Sequence, residues 1–154
     1  LKAYADSSFI VSLYLQQRNS PTAAAFMRQN GEALPFTPWH RMEVRNAIRL
    51  AVFHQAIDSQ QSKTQLKQVE IDLREETLII HTPIDWVAVL REAEKWGAAC
   101  NESIGCRSGD LFHVAAALEW EADLFLTFDE RQKKMAKAAG LNLIPGRWGL
   151  PIDS

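Results

Sequence analysis

Four acidic residues, Asp6, Glu43, Asp110 and Asp129, each sit at the edge of an apolar segment. Asp6 directly follows Ala3-Tyr4-Ala5, and Asp129 comes two residues after the run Leu124-Phe125-Leu126-Thr127. Glu43 heads a row of Ala47, Leu50 and Ala51 at helical spacing, and Asp110 leads Val114, Ala117 and Leu118 in the same way. A carboxylate heading an apolar stripe is costly to desolvate unless something pairs with it. If the four meet, they repel and raise one another's pKa, so the cluster persists only where cations neutralise it. An all-oxygen donor set selects hard ions such as Mg²⁺ or Mn²⁺. Mg²⁺ keeps several waters, and one of these can be activated for attack on a phosphodiester.

Each acid also has an ordinary explanation. Asp6 can serve as a turn or N-cap residue ahead of a helix. Glu43 has Arg45 and Arg49 nearby in sequence, although neither spacing suits a facing ion pair. Asp110 in a first helical turn is favoured by the helix dipole. Asp129-Glu130-Arg131-Gln132 fits a capping box, with Gln132 reaching back from the third helical position. Capping and cation binding are compatible, because a carboxylate has several lone-pair sites.

The elements that must position these acids alternate between strand and helix. Ala3-Tyr4-Ala5 reads as a first strand, and a helix follows from Ser7 with Ile10, Leu13 and Tyr14 on one stripe. Ser20 and Pro21 suit the N-cap and first position of the next helix, and Asn30-Gly31 suits its end. Leu34-Pro35-Phe36-Thr37 reads as a short strand or loop, and a helix is expected from about Trp39 to Ile57. A further helix spans Gln65 to Glu75, and Leu78-Ile79-Ile80 is extended. Thr82-Pro83-Ile84-Asp85 opens a helix that carries Leu90, Ala93 and Trp96 to the core, and Ser108 starts another running to about Glu121. Leu124 to Thr127 is the clearest buried strand, Asp129 opens a helix closed by Gly140, and Leu143-Ile144 is a last strand. Strands separated by helices imply parallel crossovers, hence an α/β fold with helices on both faces of the sheet. In open sheets of this kind sites form at the carboxyl ends of strands, where Asp6 and Asp129 fall.

The chain has 154 residues, 47% hydrophobic and 23% charged, the profile of one ordinary globular domain. Its 17 Lys and Arg against 19 Asp and Glu give none of the basic excess common in nucleic-acid binders. With four acids neutralised by cations the remainder turns mildly basic. No stretch has the roughly 20 apolar residues of a membrane helix and no signal peptide opens the chain, so the expected location is cytoplasmic, with no membrane partner. Cys100 and Cys106 show no zinc-ligand pattern and are expected as free thiols. Arg41, Arg45 and Arg49 recur every four residues and make either a phosphate-contacting stripe or a solvated face. His113, three positions after Asp110, reads more readily as packed or solvated than as a site residue. Trp86, Trp96 and Trp120 lie among apolar helical residues and fit a core or an interface.

Tyr4-Ala5-Asp6-Ser7-Ser8, Arg41-Met42-Glu43-Val44-Arg45-Asn46-Ala47, Ser108-Gly109-Asp110 with its alanine-rich helix, and Leu126-Thr127-Phe128-Asp129 resemble, in order, the four acidic motifs of PIN domains. The chain is most similar to the VapC-type toxins of bacterial toxin–antitoxin pairs. The resemblance runs from Tyr4 to about Ile144. It implies a three-layer fold with a central, mostly parallel sheet of four to five short strands flanked by helices. The PIN domain would occupy residues 1–145 and a C-terminal tail with Trp148 residues 146–154. It also implies a metal-dependent endoribonuclease in which Asp6, Glu43, Asp110 and Asp129 hold one or two Mg²⁺ or Mn²⁺ ions. Cleavage would be in line, leaving 5′-phosphate and 3′-hydroxyl ends. Ser8 and Thr127 match positions that carry a supporting hydroxyl. The implied partners are an RNA substrate, a cognate antitoxin and a second copy of the chain. The alternative is a catalytically silent PIN-like module that binds RNA or protein.

Overall fold

A computed structural model describes residues 1–143. Ile144 of the last expected strand, and the tail with Trp148, lie outside the described residues. The strands are short and wholly apolar where they are most buried: Ala3–Ala5 (β1) and Leu124–Leu126 (β4) have no exposed position. That pattern suits parallel strands covered on both faces. Among the described residues every strand pairing is parallel, as expected from the alternation with helices. The hydrogen bonding divides them into a three-stranded sheet and a two-stranded sheet.

The chain forms two compact units. The first joins Leu1–Asp6 to the segment from Pro83 onward. Its sheet has the order β1-β4-β5, with β5 at Asn142–Leu143, and Ala3, Tyr4 and Ala5 lie opposite Leu124, Phe125 and Leu126. Its helices are Trp86–Ile104 (α5), Ser108–Glu119 (α6) and Glu130–Ala138 (α7). Tyr4 stacks on Phe125 with ring centroids 6.1 Å apart, inside a cluster that includes Val89, Leu111, Val114, Ala115, Ala116, Ala117, Met135 and Leu141. Ala93 and Trp96 pack against this cluster as expected, and Trp86 stacks on Phe112. Leu90 does not join them: it is 58% exposed, and Val89 takes the buried place. Adjacent helical positions point about 100° apart, so an error of one residue in phase exchanges core for surface.

The second unit contains Ser7–Thr82. It holds Ser7–Tyr14 (α1), Ser20–Asn30 (α2), Leu34–Phe36 (β2), Pro38–Phe53 (α3), Ser59–Glu75 (α4) and Ile79–His81 (β3). Leu34 pairs with Ile79 and Phe36 with His81. Its interior includes Phe9, Ile10, Phe26, Val44, Ile48, Val69 and Ile79. Three boundaries differ from expectation. Asn19, not Ser20, takes the N-cap position of α2, and the Ser20 hydroxyl instead donates to the Leu15 carbonyl. The helix expected to reach Ile57 stops at Phe53, because Gln55 adopts a left-handed conformation at φ 60°. Helix α4 begins at Ser59, well before Gln65, because Asp58 and Gln61 form a reciprocal capping box.

The buried carboxylate of Asp72 ties this second unit together. It accepts from the Tyr14 hydroxyl at 2.7 Å, the Gln68 amide at 3.0 Å and the Thr77 hydroxyl at 2.8 Å. Burial, then the bond and charge of Asp72, push the Tyr14 hydroxyl far above the ordinary tyrosine range.

Candidate functional site

Asp6 extends the β1 ladder by one step: its amide donates to the Leu126 carbonyl at 3.0 Å. That register sets Asp6 beside Thr127, the residue after β4. Both are buried, at 4% exposure each, and Thr127 Oγ1 lies 2.8 Å from Asp6 Oδ2. The Asp129 amide donates to the same Oγ1 at 3.1 Å, closing a short turn between β4 and α7. Asp129 then caps α7, accepting from the Gln132 amide at 2.7 Å.

The other half of the expected capping box is absent. The Gln132 side chain does not reach back to the Asp129 amide, which Thr127 has already satisfied. Its Oε1 lies 2.6 Å from Thr127 Oγ1, and its Nε2 donates to the main-chain carbonyl of Asp110 at 2.9 Å. Gln132 is wholly buried. Asp6, Asp110 and Asp129 are therefore linked through Thr127 and Gln132, and Gln132 is a member that sequence reasoning missed. Its D-x-x-Q spacing signalled only the local cap.

Asp110 lies in the first turn of α6, where the helix dipole favours its charge. It is half-buried and accepts from Arg107 Nε at 3.4 Å. The turn before it is fixed by Asn101, whose side chain accepts from the Cys106 amide at 2.7 Å and donates to the Cys106 carbonyl at 2.9 Å. Gly105, at φ 75°, supplies the left-handed residue that ends α5 and allows this turn. Burial, followed by the charges of Asp110 and Asp129, pushes the Cys106 thiol up to about 11, with Arg131 opposing. Cys100 and Cys106 are free thiols, as expected. His113 is a core residue whose Nδ1 lies 3.1 Å from the Tyr4 hydroxyl.

Glu43 belongs to the second unit. Its Oε1 accepts from the Ser7 hydroxyl at 2.9 Å. Ser7 is the residue after Asp6, a position that sequence reasoning passed over in favour of Ser8. Ser8 is exposed. Arg41 and Arg45 both contact Glu70 Oε1 on α4, at 2.7 and 2.6 Å.

Among the described residues, no three His, Cys, Asp or Glu side chains are grouped as a ready-made metal cage. The donor chemistry nevertheless suits one kind of ion. Mg²⁺ commonly sits on one or two carboxylates, retains waters and takes the rest of its shell from substrate phosphate. Half-buried Asp110 and Asp129, joined through the backbone and side chain of Gln132, fit that mode of binding.

The PIN domain family matches residues 3–138. The chain belongs to the PIN domain family. No curated protein matches it. Among solved structures, this PIN domain is similar to FitAcB from Neisseria gonorrhoeae, at 13% identity, with a TM-score of 0.65 over 93% of this chain and 96% of that one. It is also similar to VapBC-1 from nontypeable Haemophilus influenzae, at 16% identity, with a TM-score of 0.57 over 92% and 95% of the two chains. These likenesses are of fold. PIN domains are generally nucleases. No helix among the described residues is long and apolar enough to cross a membrane.

Proposed function

We propose that this PIN domain is a Mg²⁺- or Mn²⁺-dependent endoribonuclease and the VapC-type toxin of a toxin–antitoxin pair. Asp6, Glu43, Asp110 and Asp129 would form its acidic site. The observation that carries this reading is the link between three of those acids, Asp6, Asp110 and Asp129, through Thr127 and Gln132. Similarity in fold to FitAcB and VapBC-1 supports the toxin assignment and an antitoxin partner.

When bound, the cation supplies an activated water and neutralises charge at the scissile phosphate. Asp110 and Asp129 hold negative charge at the mouths of two helices, where their own dipoles stabilise it. Thr127 fixes the carboxylate of Asp6 in orientation, and Ser7 does the same for Glu43. Ser8 remains a candidate supporting hydroxyl. Arg41 and Arg45 are candidate RNA contacts: a guanidinium presents five donors, so each keeps N–H groups beyond the one that meets Glu70. The active form is a homodimer in this reading, in the cytoplasm.

Substituting Asp6→Asn or Asp110→Asn should reduce metal-dependent cleavage of RNA to background, with folding retained by circular dichroism. Cleavage that survives both changes would remove the nuclease reading. The rival reading is a catalytically silent PIN-like module that binds RNA or protein. Metal titration separates the two, because the silent module has no millimolar Mg²⁺ or Mn²⁺ site.

A further inference from the structure

We propose that Gln132 is a positioning residue for the acidic site, acting through the Thr127 hydroxyl. This rests on the cation reading above. The orientation of the Gln132 carboxamide is forced by its partners. A main-chain carbonyl only accepts, so the group facing Asp110 O must be Nε2, and Oε1 must face Thr127. The Thr127 oxygen receives the Asp129 N–H and has one proton of its own to give. Two acceptors compete for it, Gln132 Oε1 at 2.6 Å and Asp6 Oδ2 at 2.8 Å.

That competition has a use. A buried hydroxyl left without an acceptor is costly, so a lone Thr127–Asp6 pair would resist any cation that claims Asp6 Oδ2. With Gln132 present, the proton turns to Oε1 and the hydroxyl stays satisfied. Asp6 is then able to exchange Thr127 for a cation with no polar group abandoned in the interior. At the same time Nε2 anchors the first turn of α6, so Asp110 keeps its place relative to Thr127 and Asp129.

Gln132→Leu isolates this role. The cap on α7 uses the backbone amide of residue 132, which leucine retains, so the substitution removes only the carboxamide. The measurement is Mn²⁺ affinity of the full chain, read by electron paramagnetic resonance of free Mn²⁺, with no RNA present. Gln132→Leu should weaken Mn²⁺ binding by about 10- to 100-fold, the usual effect of removing a partner that orients a ligand. On a Thr127→Val background, where there is no hydroxyl to satisfy, Gln132→Leu should cause little further loss, because the two act as one unit. Asp72→Asn, which disturbs the second unit, should lower thermal stability and leave Mn²⁺ affinity unchanged. Wild-type affinity in Gln132→Leu, or a Gln132→Leu loss that persists in full on the Thr127→Val background, where no hydroxyl is left to satisfy, would overturn the proposal. If the wild-type chain binds no Mn²⁺ that Asp110→Asn removes, the cation reading itself falls, and this inference falls with it.

Discussion

The two units each place a buried aspartate among hydroxyl and amide groups, and they do so to opposite ends. In the second, Asp72 accepts from Tyr14, Gln68 and Thr77, three side chains that each give a hydrogen to it. In the first, the hydroxyl beside Asp6 is shared with Gln132, while Asp110 and Asp129 stay half-buried and meet solvent. One arrangement gives the carboxylate a full set of neutral donors and asks nothing further. The other leaves oxygen capacity and an adjustable proton. The contrast separates a carboxylate that holds the fold from carboxylates that can serve a ligand.

The largest expected effect on the fold comes from breaking the closed arrangement. Asp72→Ala strands the buried Tyr14 hydroxyl and removes the acceptor of the more exposed Gln68 and Thr77, and should cost about 1–3 kcal/mol of stability, measured by urea unfolding. Metal-dependent cleavage per folded molecule should stay unchanged; a parallel loss of both would erase the distinction between the two units. A smaller effect is expected at the other carboxylate of α4. Glu70→Gln frees Arg41 and Arg45 from an exposed ion pair, so stability should move by less than about 1 kcal/mol. RNA affinity at low salt should rise and its salt dependence steepen, read by fluorescence anisotropy, if the two arginines meet phosphate. Unaltered affinity would assign them to α3–α4 packing alone.

The smallest effect is a pH slope. The Cys106 thiol rises from 9.0 to about 11 in the folded chain, so the unfolded chain loses its proton first. Between those values the native state binds more protons than the unfolded one, and stability should fall as pH rises. Below about pH 9 the two states match and the contribution vanishes. Cys106→Ala should flatten this slope in unfolding curves taken from pH 8 to 11. An unaltered slope would show that burial and the neighbouring carboxylates do not raise the thiol above its unfolded value.

Much of the frame was legible because its signals are local. Apolar triplets marked β1 and β4, Pro83 stood before a helix, and Asp85 and Asp129 announced caps that the structure contains. Asp6, Asp110 and Asp129 were legible as strand-end and first-turn acids, and three of the four PIN motifs meet in one unit. What escaped was decided by distant partners. Gln132 reads as a box residue because the pattern spans three positions, yet its carboxamide answers to Asp110, 22 residues away. Glu43 reads against Arg45 and Arg49, but its Oε1 accepts from Ser7, 36 residues away. The early start of α4 escaped because Ser59 to Thr64 carry no apolar stripe, and only the Asp58–Gln61 exchange marks the boundary.

The β1–β4 ladder fixes when the first unit can exist. The strand that Tyr4 pairs with is made some 120 residues after it. During synthesis the Ser7–Thr82 segment emerges whole, while Asp6 waits for Thr127 to be polymerised. A nascent or truncated chain that stops short of Thr127 has the first acid without its hydroxyl partner. Whatever reactivity the acids possess is thereby withheld until Thr127 has been made.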